Sequence, residues 1–290
     1  MQRPWEQGGF VSHPEAMEGN KIRVRSPTFA DHFSQPALFW RSQAKWEQDH
    51  IVAAFCFELA KVEVPAIRER MVATLTQVDA DLAQRVADGL GMRLPAPPIG
   101  HADVPYTDKP EMDAALSMAD VPDTAISGRK IAILVCDHVD GVFVNTMREA
   151  VEAQGAVVKL LAPKLGDITS SEGQLMHVDH SLPTVSSVLF DAVLIPGNDE
   201  GANALCNDAN AIMFVKEAYK HGKPIAAIAG GISLIDKAAL SAGAANGEFK
   251  GPGIIVELGE TADKAFIERF INAIAKHRFY ERPDLDAIVA

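Results

Sequence analysis

Hydrophobic and polar residues follow two different periods along the chain. In the first half, Ile51, Phe55 and Leu59 recur at four-residue steps, which predicts an amphipathic helix with one apolar side. Pro65 and Asp79 stand where two further helices would start, because proline is tolerated at the first helical position and aspartate caps free N–H groups. This region therefore predicts three short helices with a small core.

The second half of the chain has a different pattern, in which short apolar runs alternate with helical stretches. The runs are "KIAILVC", "AVVKLLAP", "DAVLIPG", "PIAAIAG" and "GIIVEL". Apolar runs without alternation are typical of strands that are buried on both faces. The stretch "GDITSSEGQLMHVD" alternates around a turn and indicates a hairpin. Repeated strand–helix units predict an α/β fold, with a doubly wound, mainly parallel sheet.

The patterns divide the chain into four predicted segments. Residues 1–35 are polar, contain scattered prolines and predict an extended arm. Residues 36–91 form the helical segment. Residues 92–128 hold six prolines and predict a linker, and residues 129–290 form the α/β domain.

Composition narrows the classes of partner and the expected location. The formal net charge of −12 disfavours non-specific binding to nucleic acid or to an anionic membrane surface. The sequence has no apolar run long enough to span a bilayer and no apolar signal core near Met1. The three cysteines are far apart and odd in number, so we expect a reduced chain and a cytoplasmic location.

The stretch "PIAAIAGGISLI" has the pattern of a buried strand, a tight turn and a helix. In many α/β enzymes such a turn presents a serine or cysteine nucleophile. Here the turn consists of Ala229, Gly230 and Gly231, none of which has a nucleophilic side chain. We therefore expect no catalytic residue at this turn, and no catalytic, cofactor-binding or metal-binding residue elsewhere in the chain.

Other residues leave weaker alternatives open. Cys136 and His138 follow the first strand of the α/β domain and could form a nucleophile pair, although a buried thiol is the simpler interpretation. His177, Asp179 and His180 could ligate a metal, but no partner cluster accompanies them. The run "GNDEGANAL" lacks the glycine spacing of a dinucleotide-binding loop.

Two regions carry a specific resemblance. The run "SPTFADHFSQPALFW", with the helical stretches after it, resembles the wrapping arm and helical domain of haem catalases. The stretches "GRKIAILVCDHVD", "EAYKHGKPIAAIAG" and "AKHRFYERPDLDAIVA" resemble the extra C-terminal domain of large-subunit catalases. That domain is related to PfpI-like and class I glutamine amidotransferase-like proteins, which implies a flavodoxin-like fold. The segments occur in the order of a large-subunit catalase.

The resemblance implies that the parent enzyme converts hydrogen peroxide to water and oxygen on haem. In the family, the haem β-barrel precedes the wrapping arm, and its catalytic residues lie upstream of the region matched here. The three tyrosines, Tyr106, Tyr219 and Tyr280, do not stand in the family's haem-ligand context. PfpI-like proteins usually read Ala-Ile-Cys-His-Gly at the elbow, whereas this chain has Ala229 and Gly230 in place of the cysteine and histidine.

The sequence thus predicts a C-terminal part of a large-subunit catalase that supports assembly and stability. It implies no cofactor bound by this chain, and partners that are other subunits of a homotetramer or a haem-barrel domain. Two alternatives remain open: a stand-alone binding or chaperone-like module, and a PfpI-like hydrolase or glyoxalase that uses Cys136.

Overall fold

The computed structural model describes residues 4–9, 12, 14–25, 27–98, 111–119, 125–197, 199–238, 251–282, 285 and 288. The chain divides into two compact units, Met1–Ala119 and Asp120–Ala290. No helix among the described residues is long and apolar enough to cross a membrane.

The first unit is helical. Its helices are α1 (Ser34–Ser42), α2 (Lys45–Ala60), α3 (Pro65–Leu75) and α4 (Ala80–Gly89), with short 3-10 turns at Trp5–Gln7, Pro27–Ala30 and Ala114–Leu116. The predicted starts are confirmed: Pro65 opens α3, and the Asp79 carboxylate accepts hydrogen bonds from the N–H groups of Asp81 and Leu82 at the start of α4. Helix α1 was not predicted, because its nine residues are too few to show a clear period.

The core of this unit is thin. Seven residues are buried together, namely Trp40, Val72, Leu75, Leu82, Ala83, Val86 and Ala87. Helix α2 contributes only half-buried side chains to this cluster, such as Ile51, Phe55 and Leu59. Its one fully buried residue is the acidic Glu47. A small core of this kind supplies little stability by itself.

Glu47 fixes part of the predicted linker to the helices. Its carboxylate accepts hydrogen bonds from the Ala44 N–H at 2.8 Å, the Ser117 hydroxyl at 2.7 Å and the Met118 N–H at 2.9 Å. Burial acts to raise the pKa of Glu47, but these hydrogen bonds outweigh it and lower the pKa. Residues 111–119 therefore pack against the helical unit.

The second unit is an α/β domain. In chain order its elements are β1 (Lys130–Leu134), α5 (Gly141–Glu152), β2 (Val157–Ala162), β3 (Gly166–Thr169), β4 (Leu175–Val178), β5 (His180–Ser181), β6 (Ala192–Ile195), α6 (Asp199–Cys206), α7 (Ala209–Lys220), β7 (Ile225–Ile228), α8 (Ile232–Lys237), β8 (Ile254–Glu257) and α9 (Lys264–Lys276). Strand β7 leads into α8 through a 3-10 turn, Ala229–Gly231.

Six strands form one sheet in the order β5-β2-β1-β6-β7-β8, and every neighbouring pair is parallel. Strands β3 and β4 form the predicted hairpin as a separate antiparallel pair. The predicted α/β fold with a doubly wound parallel sheet is confirmed. The helix predicted after the turn at Ala229 is present as α8. The sequence analysis missed β5 and α6, each of which is eight residues or shorter and follows closely after another element.

Apolar side chains cover both faces of the sheet. Helices α5 and α9 pack on one face, where Phe143 and Phe266 meet with their ring centroids 6.3 Å apart. Helices α6, α7 and α8 pack on the other face around Phe214 and Leu234. Burial on both faces explains why the strands read as continuous apolar runs.

Asp191 ties the end of α9 to the start of the sheet. Its carboxylate accepts a hydrogen bond from the Lys130 N–H at 2.8 Å and lies 2.8 Å from Nε2 of His277. The guanidinium groups of Arg129 and Arg278 lie 3.8 and 4.0 Å from the same carboxylate. Burial acts to raise the pKa of Asp191, but His277, the Lys130 N–H and Arg129 together lower it to about 2.

Arg282 fastens the segment that follows α9. Its side chain is 3% exposed and donates hydrogen bonds to the backbone carbonyls of Pro252, Tyr219 and Lys223 at 2.7–2.8 Å. The guanidinium also lies 4.3 Å from the centroid of the Tyr219 ring. A planar group with several fixed donors suits this arrangement, which lysine could not reproduce.

We expect Asp191→Asn to weaken the fold in a pH-dependent way. The pKa of Asp191 is lower in the folded chain, at about 2, than the ordinary value of 3.8. The carboxylate therefore stabilises the fold above about pH 4, and this contribution is lost as the pH falls toward about 2. Urea unfolding should show a loss of about 2 kcal/mol for the variant at pH 7 and a smaller loss at pH 3.

The exposed Asp167→Asn is the matched control, because Asp167 forms only an exposed pair with His177. A difference between wild type and Asp191→Asn that stays constant from pH 7 to pH 3 would contradict the role given to the Asp191 charge.

Candidate functional site

The candidate site lies where the loops after β1, β6 and β7 meet. In a parallel sheet these loops gather at the carboxyl edge of the strands, where α/β proteins place their binding sites. The loop after β7 is the turn Ala229–Gly231, and the loop after β6 contains Pro196 and Gly197.

The backbone of the turn has the conformation of a nucleophile elbow. Ala229 has a φ of 44°, in the left-handed region that residues with a β-carbon avoid. Holding an alanine there costs on the order of 1–3 kcal/mol, which the surrounding structure must offset. The strained strand-to-helix turn is the geometry that exposes a catalytic serine or cysteine in related architectures.

Close packing against β6 explains why glycine follows Ala229. A β-carbon at Gly231 would lie 2.5 Å from the Pro196 carbonyl oxygen and 2.7 Å from that of Ile195. A β-carbon at Gly197 would lie 3.0 Å from both the Ala229 β-carbon and the Ile228 carbonyl oxygen. The turn and the end of β6 therefore require glycine at position 231 and leave little room for a β-carbon at Gly197.

The tip of the turn carries a methyl group and no reactive side-chain atom. Ala229 and Gly230 are half-buried, and Gly231 is buried. The backbone geometry that would position a nucleophile is present, while the nucleophile is replaced by Ala229. That no other residue of the chain acts as a catalytic group stays a prediction.

Cys136 is a buried thiol, in agreement with the simpler interpretation of the sequence. Its side chain is 7% exposed, and its Sγ donates a hydrogen bond to the Gly201 carbonyl at 2.9 Å. Burial, together with the negative charge of Asp137, raises the pKa of Cys136 to about 12. The thiol is therefore protonated at neutral pH and is a poor nucleophile.

His138 does not act on Cys136 in this structure. Its backbone has a φ of 66°, and its Nε2 atom lies 3.8 Å from the carboxylate of Glu200 on α6. The neighbouring Asp137 carboxylate accepts a hydrogen bond from the Thr169 N–H at 2.9 Å. Adjacent residues after β1 thus have separate partners, and their sequence proximity does not produce a catalytic pair.

The histidines of the hairpin have separate roles as well. Nδ1 of His177 lies 3.0 Å from the Asp167 carboxylate, and both side chains are exposed. The two oxygens of Asp179 bind Lys159 Nζ and the Leu160 N–H, each at 2.8 Å. His180 lies on the short strand β5. Within the described residues, no group of three or more His, Cys, Asp or Glu could hold a metal ion.

The structure contains a groove beside α5 that the sequence analysis did not predict. It lies between α5, β2 and the β3–β4 hairpin and includes Asn145, Arg148 and Val158 in its lining. The available signal was the spacing of Asn145, Arg148 and Glu152, which places three polar side chains on one side of the helix. The apolar pattern of α5 did not show that this side faces a concave surface.

The two described tyrosines both have partners within the α/β unit. Tyr219 is 1% exposed, within the core beneath Arg282. Tyr280 is hydrogen-bonded to Arg278. Tyr106, the third tyrosine of the sequence analysis, lies outside the described residues.

Comparison with known proteins accounts for both units. Residues 26–90 match a family model described as catalase-related immune-responsive. Residues 127–284 match the model of the C-terminal domain found in long catalases. The two matches fall on the helical unit and the α/β unit respectively.

Curated relatives give the same result over nearly the whole chain. Catalase-2 of Bacillus subtilis is 36% identical over 277 residues, which are 96% of this chain and 38% of the relative. Catalase HPII of Pseudomonas aeruginosa is 37% identical, with 95% of this chain and 36% of the relative covered. The chain thus spans little more than a third of the length of these relatives. It belongs to the family of long-catalase C-terminal domains and corresponds to the C-terminal part of large-subunit catalases.

Proposed function

We propose that the chain is a non-catalytic part of a haem catalase and supports the assembly and stability of that enzyme. The parent reaction would be the conversion of hydrogen peroxide to water and oxygen. The observation that carries the proposal is the turn at Ala229, where the strained elbow backbone persists and its nucleophile is replaced by a methyl group. A fold that keeps a costly shape without its reactive atom fits a structural role.

The exposed apolar surface of the helical unit supports the assembly role. Phe57 is 65% exposed on α2, and Val64 and Ile67 are 52% and 42% exposed at the start of α3. Contiguous exposed apolar surface is typical of sites that bind other chains or domains. We propose that a haem-barrel domain or further subunits of a homotetramer cover this surface.

The remaining parts of the proposal concern cofactor and location. Haem would be held by the parent enzyme outside the residues of this chain, since the family's haem β-barrel precedes the region that this chain resembles. The acidic net charge of −12 supports partners other than nucleic acid or anionic membrane. We propose a cytoplasmic location, which the scattered cysteines support.

We expect Phe57→Asp to weaken association with a haem-barrel segment. Burying the aspartate would cost free energy and remove an aromatic contact, so the affinity should fall by about tenfold or more. The measurement is co-purification, followed by titration, of this chain with the co-expressed preceding part of Catalase-2 of Bacillus subtilis.

Leu258→Asp is the matched control, because Leu258 is 72% exposed on the α/β unit. Failure of the wild-type chain to associate, with both variants folded, would contradict the assembly role. Equal weakening by both substitutions would contradict the place given to the α2–α3 surface.

The same exposed surface favours a second function, a stand-alone binding or chaperone-like module. Such a module should suppress the aggregation of an unrelated unfolding protein, such as citrate synthase at elevated temperature. Suppression that Phe57→Asp abolishes, without association with the haem-barrel segment, would favour this second function over the first.

We expect Cys136 to resist alkylation, which would exclude a PfpI-like hydrolase or glyoxalase that depends on this thiol. A rise in pKa from 9.0 to about 12 reduces the thiolate fraction by about a thousandfold at neutral pH. Treatment of the native chain with iodoacetamide, followed by mass spectrometry, should modify the half-buried Cys56 before Cys136. Rapid alkylation of Cys136 with loss of a measurable esterase or glyoxalase activity would support the hydrolase instead.

A further inference from the structure

The groove beside α5 is large enough for a small molecule, and most of its exposed lining is polar. Its volume is about 400 Å³, within the range of roughly 300–1,000 Å³ for such sites. The buried side chains of Val158, Leu160 and Met176 give it an apolar floor. Polar side chains of α5 and of the hairpin form its rim.

The floor of the groove presents an open strand edge. Strand β5 pairs only with Leu161 and Ala162 of β2, and Asp179 binds both the N–H and the carbonyl of Leu160. Backbone groups of alternate residues in a strand point the same way, so the N–H and carbonyl of Val158 also face away from β1. Within the described part of the chain, nothing bonds to Val158 on that side.

The rim of the groove carries a basic and an acidic side chain, neither of which has an ion-pair partner among the described residues. Arg148 is half-buried, and it has no hydrogen-bond or ion-pair partner among the described residues. Glu152, one helical turn later, is exposed and likewise has none within that part of the chain. The other acidic residue of the lining, Asp179, is already neutralised by Lys159 at 2.8 Å.

The order of Arg148 and Glu152 along α5 does not favour an ion pair between them. An arginine four residues before a glutamate is the less favourable orientation for an ion pair within a helix. Asn145 lies one turn before Arg148 on the same side of α5 and offers an amide donor beside the guanidinium. A guanidinium and an amide together suit a carboxylate, and a free carboxylate suits an ammonium group.

We propose that this groove binds a free α-amino acid with an apolar side chain. Arg148 and Asn145 would receive the ligand carboxylate, and Glu152 would receive its ammonium group. The side chain of the ligand would lie on Val158, Leu160 and Met176. The proposal is independent of the catalase assignment, since it rests only on the α/β unit.

The test uses the full chain and L-leucine as the probe. Isothermal titration calorimetry should give saturable binding with one site, and the backbone amide signal of Val158 should shift in a nitrogen-15 NMR titration. Arg148→Gln should weaken binding by about tenfold or more, because the carboxylate loses a charged bidentate partner. Lys216→Gln is the matched control, since it removes one positive charge on α7, on the other face of the sheet.

Two leucine analogues test the assignment of the two charges. 4-Methylpentanoate lacks the ammonium group, and 3-methylbutylamine lacks the carboxylate, so both should bind at least about tenfold more weakly than L-leucine. Glu152→Gln should weaken binding of L-leucine and leave that of 4-methylpentanoate unchanged.

Several results would overturn the proposal. The first is the absence of both heat and a Val158 shift at millimolar L-leucine with a folded chain. Binding that Arg148→Gln leaves unchanged would place the ligand elsewhere. Equal affinity for 4-methylpentanoate and L-leucine would show that Glu152 does not bind the ligand. It would also show that the ligand need not be an amino acid.

Discussion

The packing of the end of α9 on the α/β sheet depends on the interactions of the Asp191 carboxylate. It joins the start of β6 to the first N–H of β1 and to His277 just after α9. Elements distant in sequence are thereby held at the amino end of the sheet. Arg282 adds hydrogen bonds to three backbone carbonyls. Helix α9 and the segment after it are therefore held to the rest of the unit by side chains that are partly or fully buried and charged.

The opposite, carboxyl edge of the sheet contains the candidate site. The turn at Ala229 keeps a left-handed backbone, and Gly231 and Gly197 allow it to pack on β6. Cys136 lies nearby as a protonated, buried thiol. The carboxyl edge therefore has the turn of an enzyme site, with Ala229 at the position where a nucleophile would stand.

The sequence predicted the parts of the fold that depend on local patterns. Continuous apolar runs identified five strands, and Pro65 and Asp79 identified two helix starts because their backbone effects are local. Short elements such as β5 and α6 carry too few residues for a period to appear. The left-handed φ of Ala229 was equally invisible, because it is imposed by packing and alanine does not prefer it.

The groove beside α5 could not be predicted from local sequence patterns either. Polar residues on a helix are usually solvated, so Arg148 gave no signal by itself. Its importance depends on the hairpin across from it and on the open edge at Val158, which exists because β5 pairs with only two residues of β2. Both features are tertiary, and neither leaves a periodic trace in the sequence.

The proposed function requires that haem and its peroxide chemistry lie outside the residues of this chain. The most direct test is a visible absorption spectrum of the purified chain after haem is added, with oxygen evolution from hydrogen peroxide measured in the same cuvette. We expect no Soret band of ligated haem and no oxygen above that of free haem. A ligated-haem spectrum with sustained oxygen evolution would contradict it.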